Sequence, residues 1–324
     1  MKRNNIVGLI VLIIAMTMIV TGLTFLKQSR DERQAIQRVK IGYIPIADTA
    51  QLYVADAQGF FSAAGITPEL ISFSGGAKIL EALGTGDIDI GFTGTVPLIQ
   101  AKSRGINLVT LAGGSIQTSR EPYQALVVPT DSEIEEITEL EGKVVATNTY
   151  RSIDHVFTIA LLEAYGIKKD AISYIEVPFP QMEQALAAEQ VDAASMIEPF
   201  LTIAEERGSI RILSYHIVEV QPDFEMTTYV STSRWYQQNK HLAEGIRLAF
   251  QSATEWAEGN REEVKRLVTV YTKIKPEVAS KMRFPNFGNR LSKEQLQITS
   301  SLLLRLGFID SQPNLEEVFP EGQI

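Results

Sequence analysis

The sequence has 324 residues, of which 45% are hydrophobic and 21% are charged, so it is typical of a globular protein and long enough for two domains. Its net charge of −9 argues against a broad nucleic-acid-binding surface, which needs a basic face. The absence of cysteine excludes disulfides, thiolate metal ligands, cysteine nucleophiles and attachment through a lipid-modified cysteine.

The first 26 residues differ from the rest of the chain. Lys2 and Arg3 precede an uncharged run over 6–26, which is long enough to span the core of a bilayer. No small-x-small cleavage site is evident near its end, so an uncleaved membrane anchor is favoured. A cleaved signal peptide remains the alternative. The polar segment 27–38 is then a tether. Both alternatives place the body outside the cytoplasm.

Apolar runs alternate with helical patterns in the first half of the body. Small residues and prolines separate them. The predicted strands cover 39–44, 68–73, 88–92 and 108–112, and the predicted helices cover 50–61, 77–83 and 98–103.

An internal repeat with an offset of 103 residues links this half to the next. Leu83 corresponds to Leu186, and Asp89 corresponds to Asp192. The same offset brings Ile41 onto Val144, where another strand begins. The second half has predicted strands over 124–128, 144–146, 173–177, 191–196 and 210–213, and helices over 131–142, 152–165, 182–188 and 198–207. Three further helices are predicted over 242–258, 261–271 and 293–306.

The repeated strand–helix pattern predicts an α/β protein with two similar lobes, each built on a parallel sheet with helices on both faces. Ligands of such sheets bind beyond the carboxyl ends of the strands. The loops that follow strands are therefore the candidate site, in a cleft between the lobes.

Three such loops in the first half carry small or polar residues. The first N–H groups of a helix have no partner inside the helix and favour an anion, so a ligand role competes with simple helix capping. The position of Asp48 is equally consistent with binding a ligand amine or hydroxyl and with capping the helix that follows. The candidates are Asp48, Thr49 and Gln51 after the first strand, Ser74, Gly75 and Gly76 after the second, and Thr93, Gly94 and Thr95 after the third.

Two loops of the second half add charged candidates. Tyr150, Arg151 and Ser152 follow the strand at 144, where Arg151 either clamps an anion or is solvated and Ser152 is an expected N-cap. Glu198 occupies the position equivalent to Thr95 and either accepts a hydrogen bond from a ligand or favours a helix dipole.

No catalytic or metal-binding arrangement is evident. Asp89 and Asp192 lie where their strands begin, away from the ligand face, and are expected to tie turns. The three histidines, His155, His216 and His241, lack the spacing of metal ligands, and no phosphate-binding loop or nucleophile elbow is present. We therefore predict no catalytic residue, no metal and no cofactor.

Several motifs together resemble the solute-binding proteins of ABC importers, in the nitrate/sulfonate/taurine branch, which also includes binders of thiamine pyrimidine precursors. The resemblance covers about residues 39–308. It is carried by the stretches Leu80-Glu81-Ala82-Leu83-Gly84-Thr85-Gly86-Asp87-Ile88-Asp89-Ile90-Gly91, Thr93-Gly94-Thr95-Val96-Pro97, Leu126-Val127-Val128-Pro129, Leu140-Glu141-Gly142-Lys143-Val144-Val145-Ala146, Val191-Asp192-Ala193 and Glu198-Pro199-Phe200.

The resemblance implies a two-lobed fold of the periplasmic-binding-protein type, joined by two crossover strands. Residues 39–128 and 215–324 would form one lobe and 129–214 the other. The expected function is extracytoplasmic capture of a small anionic organic solute, such as a sulfonate, taurine or nitrate, for an ABC permease. The protein would be a non-enzymatic monomer without a nucleic-acid partner.

Two alternatives remain open. The first is a solute sensor for a membrane signalling protein, which the sequence does not separate from transport. The second alternative is a protein that binds or synthesises a thiamine pyrimidine precursor. In the synthesis enzymes the chain supplies its own histidine and a cysteine-rich motif, but this sequence has no cysteine and no histidine in the candidate loops.

Overall fold

The computed structural model describes residues 37–320. The anchor or signal predicted over 1–26, and the tether up to residue 36, lie outside the described residues. Within 37–320, no helix combines the length and the apolar character needed to cross a membrane.

The first lobe is built on a five-stranded mixed sheet. β1 runs parallel to β3, with Ile41 opposite Ile90. β12 is inserted antiparallel to both β3 and β4, so that Tyr229 lies opposite Phe92 and Ala112. The spatial order is β2-β1-β3-β12-β4. The strands are β1 (Gln37–Tyr43), β2 (Ile66–Ser72), β3 (Ile90–Gly94), β4 (Leu108–Gly113) and β12 (Thr227–Thr232).

The second lobe repeats this plan. β7 is parallel to β8 and β9, whereas β6 is antiparallel to β9 and β10. The spatial order is β10-β6-β9-β7-β8. The strands are β6 (Gln124–Pro129), β7 (Val144–Thr147), β8 (Ser173–Glu176), β9 (Ala193–Ile197) and β10 (Ile210–Ser214).

Both sheets are mixed because a crossover strand enters each of them. β6 carries the chain into the second sheet and β12 returns it to the first, and each makes antiparallel pairs with its neighbours. The parallel pairs expected from the strand–helix repeats are found between the other strands. β6 pairs wholly within the second sheet, although the sequence-based boundary places most of it in the first lobe. The residue limits of the lobes remain a prediction.

The helices follow the predicted order. Gly59 divides the helix predicted over 50–61, because its φ of +73° is left-handed. The helices are α1 (Ala50–Ala57), α2 (Phe60–Ala63), α3 (Gly76–Thr85), α4 (Thr95–Ser103), α5 (Ile153–Ala164), α6 (Met182–Ala187), α7 (Phe200–Glu206), α8 (His216–Val220), α9 (Ser233–Gln238), α10 (Lys240–Gly259), α11 (Arg261–Thr272), α12 (Pro276–Lys281) and α13 (Lys293–Arg305).

The prediction of a helix over 131–142 is wrong. The segment forms only a 3-10 turn, Ile137–Leu140. Ile134, Ile137 and Leu140 of this segment are buried and pack into a cluster of the second lobe.

The internal repeat corresponds to repeated structure. β3 begins at Ile90 and β9 begins at Ala193, which keeps the offset of 103 residues. Asp89 accepts a hydrogen bond from the Lys40 amide at 2.8 Å, and Asp192 accepts one from the Val144 amide at 2.7 Å. Both aspartates therefore tie the beginnings of neighbouring strands, as the sequence predicts.

A small third sheet joins segments that are distant in the chain. Its central strand β5 (Ser115–Gln117) pairs antiparallel with β11 (Phe224–Glu225) and with β13 (Asn286–Phe287). Phe224 packs against Phe157 of α5, with ring centroids 4.5 Å apart. The third sheet also positions Ser115 for the site described next.

Candidate functional site

A cavity of about 410 Å³ lies between loops of the first and second sheets. Three helices begin at its wall: α3 at Gly76, α4 directly after Gly94, and α5 directly after Ser152. None of their N-cap residues makes a side-chain capping hydrogen bond. These N-termini come from both lobes and present a positive dipole end to the same space.

The structure brings six of the predicted site residues to the cavity wall and places seven elsewhere. The six are Asp48, Gly76, Gly94, Tyr150, Arg151 and Ser152. The seven that do not line the cavity are Thr49, Gln51, Ser74, Gly75, Thr93, Thr95 and Glu198.

Asp48 is the most buried charged group of the wall, with 1% of its surface exposed. Its Oδ2 accepts hydrogen bonds from Ser115 Oγ at 2.6 Å and Tyr123 OH at 3.1 Å. Its Oδ1 is buried and has no hydrogen-bond partner from another residue. Burial raises the pKa of Asp48 to about 6, against the opposing effect of the two hydroxyl donors. The carboxylate is therefore held on one side only and is mainly ionised at neutral pH.

Arg151 connects the two lobes. Its Nε donates to Gln100 Oε1 at 2.7 Å, and the Gln100 amide nitrogen donates back to the Arg151 carbonyl at 2.7 Å. Its guanidinium also donates to the Phe308 carbonyl and lies 5.4 Å from the centroid of the Phe308 ring. Burial, and then the nearby positive charge of Arg104, lower the pKa of Arg151. Two guanidinium groups thus lie close enough at this wall to repel each other.

A buried aspartate, Asp154, shapes the loop that carries Tyr150, Arg151 and Ser152. Its Oδ2 accepts from Thr147 Oγ1 and from the Asn148 amide, both at 2.6 Å, while Ser152 Oγ donates to Oδ1. Ser152 is the N-cap residue of α5 as predicted, but its hydroxyl does not cap the helix, and its Oγ also lies 2.6 Å from the Thr149 carbonyl oxygen. These hydrogen bonds within the chain fix the shape of the loop.

Two glycines of the first lobe allow the second lobe to approach closely. A β-carbon added at Gly94 would lie 2.8 Å from Ile153 Cδ1. One added at Gly75 would lie 2.9 Å from Thr149 Oγ1. Gly75 therefore leaves room for Thr149 of the other lobe, although it does not line the cavity.

The polar residues next to Asp48, Thr49 and Gln51, form hydrogen bonds within the first lobe. Thr49 Oγ1 is within 2.8 Å of the Ile44 carbonyl oxygen and of Tyr53 OH. The amide nitrogen of Gln51 donates to Thr254 Oγ1 in α10. Both side chains are fully buried and point to partners within the first lobe, so the loop presents only Asp48 to the cavity.

The remaining hydroxyl candidates also have structural positions. Thr95 Oγ1 donates to the Glu225 carbonyl at 2.8 Å, and its amide donates to the Met226 carbonyl, which ties α4 to the segment before β12. Thr93 is buried within β3. Ser74 is exposed, and its carbonyl accepts a 3.5 Å bond from Asn148.

Glu198 is fully buried, and both of its carboxylate oxygens are used by the protein. Thr202 donates to them through its hydroxyl at 2.8 Å and its amide at 3.1 Å, and the Arg283 amide donates at 3.2 Å. The Arg283 guanidinium lies 3.5 Å away. Burial nevertheless raises the pKa of Glu198 to about 7. Glu198 holds the beginning of α7 and the 283 segment together, and we do not propose it as a ligand contact.

Replacing this carboxylate should produce a pH-dependent change in stability. The folded chain takes up a proton at Glu198 near pH 7, whereas the unfolded chain does so near the ordinary pKa of 4.5. Ionised Glu198 therefore destabilises the fold at alkaline pH. The free energy of unfolding of Glu198→Gln, measured relative to the wild type, should therefore rise by about 2 kcal/mol between pH 5 and pH 8.5, because proton binding is linked to folding.

Urea unfolding of both proteins at these two pH values measures the change. The exposed carboxylate variant Glu133→Gln is the matched control, and its difference from the wild type should stay constant. A constant difference for Glu198→Gln as well would contradict the elevated pKa.

The cavity wall contains functional groups that the sequence analysis missed. They are Gln100, Arg104, Gln124, Asn148 and Asp154 on the wall, and Ser115 and Tyr123 behind Asp48. Asn148 and Asp154 flank a predicted loop, so a wider window around it would have included them. Gln100 lies within a helix, and the short strand that supplies Ser115 follows the strand predicted over 108–112 after two glycines. No sequence signal marks either of them.

Solved structures with the same fold place this architecture in a known class. The alkanesulfonate-binding protein SsuA from Xanthomonas axonopodis pv. citri bound to MOPS superimposes with a TM-score of 0.74, at 19% identity, over 87% of this chain and 98% of that one. The desulfurization enzyme DSZB gives a TM-score of 0.63 at 17% identity, over 88% and 97%. The protein thus has the periplasmic-binding-protein fold, which is found in binding proteins and in at least one enzyme.

The family model described as NMT1/THI5 like matches residues 46–264, so the chain belongs to this family. A putative aliphatic sulfonates-binding protein of Escherichia coli (strain K12) is 26% identical over 195 residues, which cover 60% of this chain and 58% of the relative. The taurine-binding periplasmic protein of the same organism is 29% identical over 180 residues, covering 55% and 53%. The matches thus span little more than half the length of these curated relatives.

Proposed function

We propose that this protein is an extracytoplasmic binding protein that captures a small organic solute with an anionic group and delivers it to an ABC permease. The observation that carries the proposal is the convergence of three uncapped helix N-termini, from both lobes, on one cavity. The helix dipole and the first N–H groups of these helices favour a negative group there, although the Thr95 amide of α4 already donates to the Met226 carbonyl.

The side chains of the wall support the same conclusion. Arg104 and Arg151 lie near each other. Burial is the main reason why the pKa of Arg151 is lowered and repulsion from Arg104 is the second, and an anion between the two arginines would relieve that repulsion. Much of the remaining wall is apolar, so the solute is organic rather than a bare inorganic ion. The apolar wall residues include Ile44, Ile46, Leu80, Phe92, Pro97, Ile153, Phe179, Ile197 and Met226.

Binding would stabilise the arrangement in which the lobes meet. Gln100 and Arg151 already bridge them, and the Ala47 amide donates to the Glu198 carbonyl across the same interface at 3.2 Å. A solute that contacts both walls favours this closed form over any more open one, and that difference in affinity drives closure. The protein then acts without breaking a bond, as a monomer and without a nucleic-acid partner.

The proposal draws on the relatives for the class of solute and for the permease. Their names specify aliphatic sulfonates and taurine, and the structural neighbour is an alkanesulfonate binder. Asp48 and Asp154 are the two buried carboxylates of the wall, but the oxygens of Asp154 are occupied by hydrogen bonds within its loop. We therefore propose binding rather than catalysis as the role of this cavity.

Calorimetric titration of the purified chain with alkanesulfonates, taurine, nitrate and aromatic sulfonates tests the proposal. We expect at least one organic sulfonate to bind with a stoichiometry of one per chain, and small-angle scattering to show a more compact molecule on binding. No heat and no thermal shift with any of these solutes would contradict it.

A further inference from the structure

Only one of the two carboxylate oxygens of Asp48 accepts hydrogen bonds from other residues. Ser115 and Tyr123 both donate to Oδ2, while Oδ1 is buried at the cavity wall without a partner from another residue. A buried acceptor without a donor is costly, and a buried charge without a counter-charge is more so. The site is therefore incomplete on the Oδ1 side.

No cation of the protein compensates this charge within residues 37–320. The groups that lower the pKa of Asp48 are the hydroxyls of Ser115 and Tyr123 and its own backbone amide, and neither a lysine nor an arginine contributes. The arginines of the wall, Arg104 and Arg151, interact instead with each other and with Gln100 and Phe308. A donor that completes Asp48 has to come from outside the chain.

Asp48 and the arginines of the wall differ in their exposure. Asp48 is fully buried, whereas Arg104 is exposed, and Tyr150 at the same wall is 47% exposed. Apolar side chains such as Phe92 and Met226 account for much of the lining. A matching solute carries a positive donor at its buried end, an apolar middle, and an anion at the helix N-termini and arginines.

We propose that the solute is a zwitterion with an amino group, whose ammonium N–H donates to Asp48 Oδ1 while its anionic group is held by the helix N-termini. This inference rests on the proposed function and specifies the solute of the same cavity. Asp48 is the residue that selects an amino compound over an analogue without nitrogen, because only the former completes the buried carboxylate.

Two series of probes test the inference. One consists of ω-aminoalkanesulfonates with two to six carbons, and the other of alkanesulfonates of equal length that lack the amine. Calorimetry with the wild-type chain at pH 7.5 should give at least tenfold tighter binding for the best amino compound than for its matched analogue, since a charge-assisted bond to a buried carboxylate is lost in the latter.

Two variants test whether Asp48 is the residue that causes the preference for the amino compound. Asp48→Asn should lose at least tenfold in affinity for the amino compound and bind the analogue no more weakly than the wild type does. Glu81→Gln removes the same charge from an exposed carboxylate of the same wall and should leave the preference unchanged. The thermal midpoint of each variant checks its folding, and if Asp48→Asn does not fold, the comparison within the wild type decides.

The failures are distinguishable. Equal affinity of the wild type for the two series overturns the inference and leaves the proposed function standing. A preference that disappears in Glu81→Gln but persists in Asp48→Asn also overturns it. Binding of neither series overturns the inference, and together with a negative result for nitrate and aromatic sulfonates it overturns the proposed function.

Discussion

Gly94→Val is expected to weaken solute binding by about 10- to 100-fold. Gly94 lies between β3 and α4 with φ −74° and ψ 155°, a conformation that valine also adopts. The obstacle is steric, because an added β-carbon lies 2.8 Å from Ile153 Cδ1 in the other lobe and 3.2 Å from the Pro97 ring. Overpacking of this kind costs about 1–3 kcal/mol, and about 1.4 kcal/mol corresponds to a factor of ten in affinity.

The comparison with Gly84→Val separates occlusion from a general effect of valine. Gly84 is an exposed residue of α3, and an added β-carbon there meets nothing within 4 Å. Calorimetry should show near wild-type affinity for Gly84→Val and the loss for Gly94→Val, with the thermal midpoint of the ligand-free Gly94→Val protein lowered only slightly. Binding by Gly94→Val within threefold of the wild type would show that this approach of the lobes is not needed for binding.

Phe157→Ala is expected to have the largest effect on stability, lowering the free energy of unfolding by about 3–5 kcal/mol. Phe157 is fully buried in α5 and packs against Phe224 of the third sheet. The truncation removes apolar contacts and leaves a cavity where the second lobe meets the strand pair that holds Ser115. Urea unfolding measures the loss.

Leu248→Ala is the control for this truncation. Leu248 lies in α10 and is 48% exposed, so its replacement should change the free energy of unfolding by less than about 0.5 kcal/mol. A loss below about 1 kcal/mol for Phe157→Ala would mean that the packing between α5 and the third sheet is not maintained in solution.

Local patterns in the sequence were sufficient to predict most of the architecture. The repeat that relates Asp89 to Asp192 corresponds to equivalent strand beginnings, and the hydrogen bonds of both aspartates have the predicted structural role. What local patterns did not predict was the direction of β6 and β12, because a crossover strand is antiparallel only in relation to strands far away in the chain.

The site was less predictable than the fold for a related reason. The predicted loops all reach one cavity, but each loop turns some side chains toward the cavity and others into its own lobe. Asp48 and Thr49 are adjacent in sequence, yet one lies at the wall and the other bonds within the first lobe. Glu198 was predicted from its position in the repeat, and it is instead satisfied by Thr202 and Arg283, which comes 85 residues later.

The partners that give Asp48 its importance come from distant segments. Ser115 and Tyr123 lie 67 and 75 residues away along the chain and reach the carboxylate only through the third sheet and the start of β6. No spacing rule links them to the first loop. The sequence therefore predicts Asp48 as a candidate, and the structure shows which of its oxygens lacks a partner from another residue.

A crystal structure of the chain with the tightest-binding solute of the calorimetric series tests the central claim most directly. The account predicts that the solute occupies the cavity between the sheets, with its anionic group within hydrogen-bonding distance of main-chain N–H groups at the beginning of α3, α4 or α5. A solute bound elsewhere on the protein, with the cavity free of it, would contradict the account.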